Sequence, residues 1–222
     1  MFYKIMKLPK NFQPLIGLLL AFLFTSCLPQ ISVKAGNADD ATIFFSTGFS
    51  SAVTKTLKNL SGLDSDASLF NKEDILLVLG ECGAVNTSAS LPSQNELAAS
   101  GTLPSLSANK ITNSGLLKKN KNSLTLTIGN RQIVDFYNLL SDEAKSYLDL
   151  MMIPALIGEK MTFDEYQELL ASMYGPTFAD EIVNGKLTIV LSSPDGKKQK
   201  KDTVRLGDLL TQTEDKIWSV TW

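Results

Sequence analysis

The chain has 222 residues, with 21 basic and 23 acidic side chains for a formal net charge of −2, and it has no histidine. This mild acidity argues against general nucleic-acid binding, which needs a basic face. The lack of histidine excludes Ser-His-Asp triads, cysteine–histidine pairs and histidine-bound zinc.

The N-terminus has the three parts of an export signal in the required order. Three lysines precede an apolar run over residues 15–24, and the small polar pair Thr25 and Ser26 follows. An uncleaved membrane helix is the alternative, but this run is about half of the roughly 20 residues that span a bilayer. We therefore expect residues 1–26 to be a removable signal peptide.

Cys27 stands where this signal would be cut, at the end of Leu23-Phe24-Thr25-Ser26-Cys27. The segment resembles the lipobox of bacterial lipoproteins, and Phe24 in the usual leucine position is similar to the looser boxes of spirochaetal lipoproteins. The resemblance covers about the first 27 residues. It implies cleavage before Cys27 and attachment of diacylglyceryl and acyl groups, such as palmitate, to that residue.

A lipidated cysteine would make the bacterial envelope the location and the membrane a partner, because two or more acyl chains anchor a protein stably. Leu28 follows the cysteine instead of the aspartate that retains many lipoproteins at the inner membrane, which favours the outer membrane. Residues 27–36 are predicted to be a lipidated tether, and residues 37–222 a single domain.

The domain is predicted to begin with a helix over residues 41–60. Its apolar residues recur at helical spacing and include Phe44, Phe45 and Phe49. The apolar face of such a helix usually packs into a core, but a phenylalanine-rich helix close to an acyl anchor could instead rest on lipid. These aromatic side chains are therefore candidate contacts with a membrane or a partner.

A second helix is predicted to start at the cap Asn71 and to end near Gly80 or Gly83, and Cys82 is expected to be a buried, unreactive thiol. A capping pattern at residues 93–96 predicts a short helix to about Ser100. The whole stretch 84–122 is rich in small polar residues and is predicted to be a flexible surface excursion or a subdomain join.

The C-terminal half alternates between helical and strand patterns. We predict a strand over residues 123–128, helices over 133–140, 143–154, 162–173 and 178–183, a hairpin over 186–206 and a last strand over 216–222. The fold class that follows is α+β. N-terminal amphipathic helices would precede a small, mostly antiparallel sheet of about four strands packed with helices.

Catalytic patterns are weak. Ser107 and Lys110 have the serine–lysine spacing of penicillin-binding enzymes, but they lie in a polar stretch and no Lys-Thr-Gly accompanies them. The acidic pairs 142–143 and 164–165 fall in first helical turns, where carboxylates favour the helix dipole. No cofactor or metal site is predicted.

The densest charge run consists of Lys197, Lys198, Lys200 and Lys201 within the predicted hairpin. Such a run can keep a strand edge unpaired, or it can contact anionic lipid or glycan. We therefore expect a non-enzymatic binding or scaffolding domain whose partner is an envelope protein or lipid. The alternatives are a lipid-binding or membrane-inserting protein that uses amphipathic helices and a small hydrolase that uses carboxylates.

Overall fold

The computed structural model of the protein describes residues 29–138 and 161–222. Its strands are β1 (Gln30–Ala35), β2 (Ala41–Gly48), β3 (Val85–Ser93), β4 (Glu96–Leu103), β5 (Leu117–Asn120), β6 (Ser123–Ile128), β7 (Lys186–Ser192), β8 (Gln199–Arg205) and β9 (Lys216–Thr221). Its helices are α1 (Ser51–Ser61), α2 (Lys72–Glu81), α3 (Lys110–Asn113), α4 (Asn130–Asn138), α5 (Phe163–Tyr174), α6 (Pro176–Asn184) and α7 (Leu206–Leu210).

The strands form two sheets. The larger one has six strands in the order β3-β4-β2-β1-β7-β8, and the smaller one has three in the order β5-β6-β9. All neighbouring strands run antiparallel except β1 and β7, which are parallel. The α+β class is confirmed. The prediction of about four strands is wrong, and so is the order of helices first, because β1 and β2 open the described chain.

The segment predicted as a tether forms the strand β1 in the middle of the larger sheet. Its alternation places Val33 and Ala35 inward, with 3% and 1% of their surface exposed, and Lys34 outward. Because β2 pairs with one edge of β1 and β7 with the other, both sets of backbone groups are hydrogen-bonded. Residues 30–35 are therefore part of the core of the fold.

The helix predicted over residues 41–60 is wrong in its first half. Residues 41–48 form β2, and the helix α1 starts only after Ser50, whose side chain accepts a hydrogen bond from the Val53 amide at 3.3 Å. The phenylalanines fit a helical period and a strand period equally over so short a run. Residues 41–48 form a strand because they pair with β1 on one side and with β4 on the other.

The stretch 84–122, predicted to be a flexible excursion, instead contains the β3–β4 hairpin and β5. The capping pattern at residues 93–96 is the turn of that hairpin, where Ser93 pairs with Glu96 and its hydroxyl donates to Asn95 Oδ1 at 2.7 Å. Alternating small residues bury Leu97, Ala99 and Leu103 on one face of β4. The period of two was not recognised in the sequence because most side chains on this strand are small and differ little in hydrophobicity.

Several predicted helices and strands are confirmed, because the observed elements cover nearly the same residues. They are the helix after Asn71, the strand 123–128, the helices after Thr162 and around 178–183, the hairpin 186–206 and the last strand. The helix predicted at 133–140 corresponds to α4 in its described part. The helix predicted at 143–154 and the acidic pair 142–143 lie outside the described residues.

The core has two parts. The inner face of the six-stranded sheet packs against the three-stranded sheet, with Leu103, Ile189 and Leu191 opposite such residues as Leu124 and Trp218. A second cluster joins α1, α5 and α6 through residues that include Val53, Tyr166, Leu170 and Val183. These contacts leave the other face of the larger sheet pointing away from both clusters.

Candidate binding surface

One row of side chains crosses the outer face of the six-stranded sheet in a continuous register. It runs through Ser88, Ser100, Phe44, Ser32, Val190 and Lys201, one residue from each strand. Residues paired across neighbouring strands project to the same face of a sheet. We call this line the central row, and the face that carries it the outer face.

The rows on either side of the central row have the same character. One contains Ser90, Ala98, Ser46, Gln30, Thr188 and Thr203, and the other contains Val85, Thr102, Thr42, Lys34, Ser192 and Gln199. Most of these side chains carry a hydroxyl group, and none carries a carboxylate. Glu96 lies one step beyond them, at the start of β4.

Hydrogen bonds between these side chains fix part of their orientation. Ser88 and Ser100 share a hydrogen bond at 3.0 Å, Thr188 and Thr203 share one at 3.4 Å, and Gln30 donates to Ser32 at 3.0 Å. A hydroxyl offers one donor and two acceptor sites, so each pair retains capacity for an external partner. The outer face is thus an ordered array of hydrogen-bonding groups.

The predicted aromatic contact residues do not share one surface. Phe44 lies on the outer face with 38% of its surface exposed, whereas Phe45 is half-buried on the inner face. Phe49 is 7% exposed and stacks on Phe70, with ring centroids 5.9 Å apart. Of the three, only Phe44 is available to a partner.

The four predicted lysines are all exposed, but alternation along β8 separates them. Lys201 is in the central row of the outer face, while Lys200 pairs with Leu191 and projects to the other side. Lys197 and Lys198 lie in the turn before β8. The basic run is therefore split between two faces of the sheet.

The turn that carries Lys197 is held by its own side chains. The buried Ser193 hydroxyl donates to Asp195 at 2.6 Å and accepts from the Lys198 amide at 3.0 Å. Asp195 also accepts from the Lys197 amide, and these bonds, the Ser193 hydroxyl first, lower the pKa of its carboxyl group. Gly196 supplies the positive φ of 74° that the turn needs.

A polar cleft of about 460 Å³ opens at the end of β1, lined by residues 36–39, 119–121, Pro194 and Trp222. Two of its three charged side chains, Asp39 and Lys119, are already engaged, Asp39 by the Ser107 hydroxyl at 2.7 Å. The Lys119 ammonium group donates to the backbone carbonyls of Gly36 at 2.8 Å, Asp40 at 3.3 Å and Ala38. Among the described residues, Lys121 is then the one charged side chain of the cleft that remains free for a ligand, so the cleft is a weaker candidate than the outer face.

The serine–lysine pattern does not form a catalytic pair. The Ser107 hydroxyl donates to Asp39 at 2.7 Å and thereby lowers the pKa of that carboxyl group, and Lys110 pairs with Glu81 at 3.4 Å. Each side chain thus has its own structural partner. The spacing in sequence did not predict a contact in space.

The Glu165 carboxylate caps the start of a helix. Thr162 and Glu165 form a reciprocal capping box at the start of α5, with hydrogen bonds of 2.8 Å from the Thr162 amide and hydroxyl to Glu165. Within residues 29–138 and 161–222, no aspartate or glutamate is buried. The same ranges contain no cluster of histidine, cysteine, aspartate or glutamate that could hold a metal ion.

The outer-face residues on β1, β3 and β4 were missed in the sequence because their strands were missed. Ser32, Lys34, Ser88 and Ser100 each alternate with small or apolar neighbours, and that alternation is the signal that could have found them.

Cys27 lies outside the described residues. No helix in the described part of the chain is long and apolar enough to cross a bilayer. Searches of protein-family models, curated proteins and solved structures found no match to this chain.

Proposed function

We propose that this protein is a lipoprotein of the bacterial envelope, anchored by acyl groups on Cys27 and held at the outer membrane more than at the inner one. Its domain acts as a non-enzymatic binding or scaffolding module for another envelope component. The signal-like residues 1–26 and the lipobox-like end of that segment support the anchor.

The observation that carries the binding role is the outer face. It extends across all six strands of the larger sheet, and most of its side chains are exposed or half-buried. The solvent-facing side of an antiparallel sheet is ordinarily polar. This one also carries the exposed Phe44 ring and two lysines, Lys34 and Lys201, that have no ion-pair partner among the described residues. That combination suits a partner that is recognised through hydrogen bonds and charge.

The two alternatives have less support. Membrane insertion through an amphipathic helix loses its basis, because residues 41–48 form a strand and Phe49 is buried. A hydrolase that uses paired carboxylates would need two acidic side chains in a cleft, and Asp39 is the only acidic side chain among the described residues that line the polar cleft. We therefore place the outer face at the centre of the proposed function.

The anchor can be tested by replacing each cysteine in turn. We expect wild-type protein from the membrane fraction to carry acyl groups at Cys27 by mass spectrometry, and Cys27→Ser to abolish them. Cys82→Ser is the matched control and should leave the acyl mass unchanged. An unmodified Cys27 in membrane-bound wild-type protein would rule out the proposed anchor.

The binding surface can be tested in cells with a photo-crosslinker attached to single introduced cysteines. Thr42→Cys places the probe on the outer face, and Thr125→Cys places it on the exposed side of the smaller sheet. Buried Cys82 should not react, which keeps the label specific. We expect a discrete adduct from position 42 alone. Adducts from position 125 alone, or from neither position, would argue against the outer face.

A further inference from the structure

We propose that the outer face binds an acidic polysaccharide, laid across the strands from Phe44 to Lys201. This inference rests on the proposed function and names the class of its partner. It follows from the charges, the hydroxyl array and the single exposed aromatic ring, which lie on one surface and complement such a polymer.

Within the three rows the charge is of one sign, and the exposed Glu96 lies one step beyond them. Lys34 and Lys201 are exposed, and among the described residues neither ammonium group has an ion-pair or hydrogen-bond partner. They lie two strands and one row apart, which strand geometry puts at about 12 Å. Because the three rows hold no carboxylate, both cations remain free to meet the acidic groups of a partner.

The neutral part of the surface suits sugars. Hydroxyl groups on Ser32, Ser100 and Thr42 surround the Phe44 ring in the central and neighbouring rows. Serine and threonine hydroxyls donate and accept hydrogen bonds as sugar hydroxyls do. The ring, 38% exposed, offers an apolar surface against which the C–H face of a sugar can pack.

A membrane surface fits these observations less well. Interfacial binding needs a large apolar area, and among the exposed large apolar side chains of the described residues only Phe44 and Val85 lie on the outer face. A nucleic acid fits less well too, since the chain is acidic overall and the face holds few cations. An acidic polysaccharide adds to its charges a hydroxyl-rich surface that the serine and threonine side chains of the three rows can match.

The test uses the full-length protein reconstituted into phosphatidylcholine vesicles, with fluorescent polygalacturonate as the probe and neutral dextran as the comparison. Wild-type vesicles should sediment polygalacturonate but not dextran. Lys201→Gln and Lys34→Gln should each weaken binding about fivefold, the change that ~1 kcal/mol makes. Phe44→Thr should weaken it similarly.

Lys200→Gln is the matched control, because it removes the same charge from the adjacent residue on the opposite side of β8. Binding in this variant should stay within about twofold of wild type, and all variants should keep the wild-type melting temperature. If Lys200→Gln and Lys201→Gln weakened polygalacturonate binding equally, the binding would depend on the net charge of the protein and not on the outer face. That result would overturn the inference.

A second arm adds phosphatidylglycerol vesicles to the same preparation and measures clustering. If Lys201 is needed for clustering while polygalacturonate does not bind, the partner is a lipid surface and the inference is wrong. If neither probe binds but position 42 still gives its adduct in cells, the polysaccharide inference fails and the proposed binding role stands. Loss of both would remove the proposed role as well.

Discussion

Cys82 shows how burial alone sets the chemistry of one side chain. It is 6% exposed, and desolvation of the thiolate raises the pKa of its thiol to about 11. The nearby Lys110 opposes this shift and Glu81 adds to it, but burial is the larger effect. The sequence prediction of a buried thiol is confirmed, since an apolar run ahead of a cysteine is a direct signal of burial.

At pH 8, a thiol with this pKa is ionised in about one molecule in a thousand, and only the thiolate reacts. In a Cys27→Ser variant we therefore expect Cys82 to react with a thiol reagent about two orders of magnitude more slowly in the folded protein than in guanidinium chloride. The release of the coloured thiolate measures both rates. Equal rates would contradict the burial of this residue.

Asp202 and Trp218 join the two sheets through one hydrogen bond. The indole N–H donates to the carboxylate at 2.8 Å, and this bond, followed by the Thr203 amide, lowers the pKa of Asp202. A lowered pKa in the folded state means that the ionised group stabilises the fold above its ordinary pKa of about 4. That contribution is lost as the pH falls through the folded-state value.

Trp218→Phe should therefore raise the pKa of Asp202 toward its ordinary value and reduce the part of acid unfolding that this group causes. Carbon-13 titration of the aspartate side chains measures the change. Asp195 serves as the internal reference, because its carboxyl group is held by Ser193 and should titrate as before. An unchanged Asp202 would mean that the indole bond is not the main cause.

At the scale of elements, the sequence predicted what local chemistry determines. The capping box at Thr162, the cap at Asn71 and the Pro-Asp-Gly turn at 194–196 each involve residues close in sequence, so the pattern and the structure agree. Strands β1 and β2 could not be predicted in this way, because their identity depends on partners far along the chain.

The outer face shares this dependence. Lys201 could be recognised as basic from its neighbours in sequence, but its position in a row with Phe44 and Ser100 requires the order of six strands. Period-two alternation indicates which residues share a face of one strand, yet it does not indicate which strands are adjacent. The sequence could predict members of the surface, and it could not predict the surface.

The capping box offers a direct test of an element that the sequence did predict. Thr162→Ala should lower the free energy of unfolding by about 1 kcal/mol, because the cap accepts a hydrogen bond from an otherwise unpaired amide at the helix start. Thr162→Ser keeps the hydroxyl group and should lose much less. Urea unfolding measures both, and equal losses would mean that the threonine methyl group matters more than the cap.

At the scale of the whole molecule, β1 decides whether the larger sheet is continuous. It is the only link between the strands β2, β4 and β3 on one side and β7 and β8 on the other within the described residues. The two halves come from distant parts of the chain. Removing β1 would therefore leave two unpaired edges facing each other.

A protein that starts at residue 37 should accordingly fail to unfold cooperatively on heating, whereas one that starts at residue 29 should keep a sharp transition. Circular dichroism during thermal unfolding distinguishes the two outcomes. A sharp transition in the shorter protein would show that the rest of the sheet closes without β1.

The central place of β1 also limits how far the protein can reach. Only Leu28 and Pro29 separate Cys27 from the first residue of this strand, a path of about 10 Å at full extension. If Cys27 is lipidated as proposed, the linker between the lipid and the domain is very short. The domain then stays in a thin layer next to the bilayer. Its partner must then reside in that layer or be delivered to it. The rate at which the two meet therefore depends on how many partner molecules there are per unit of membrane area.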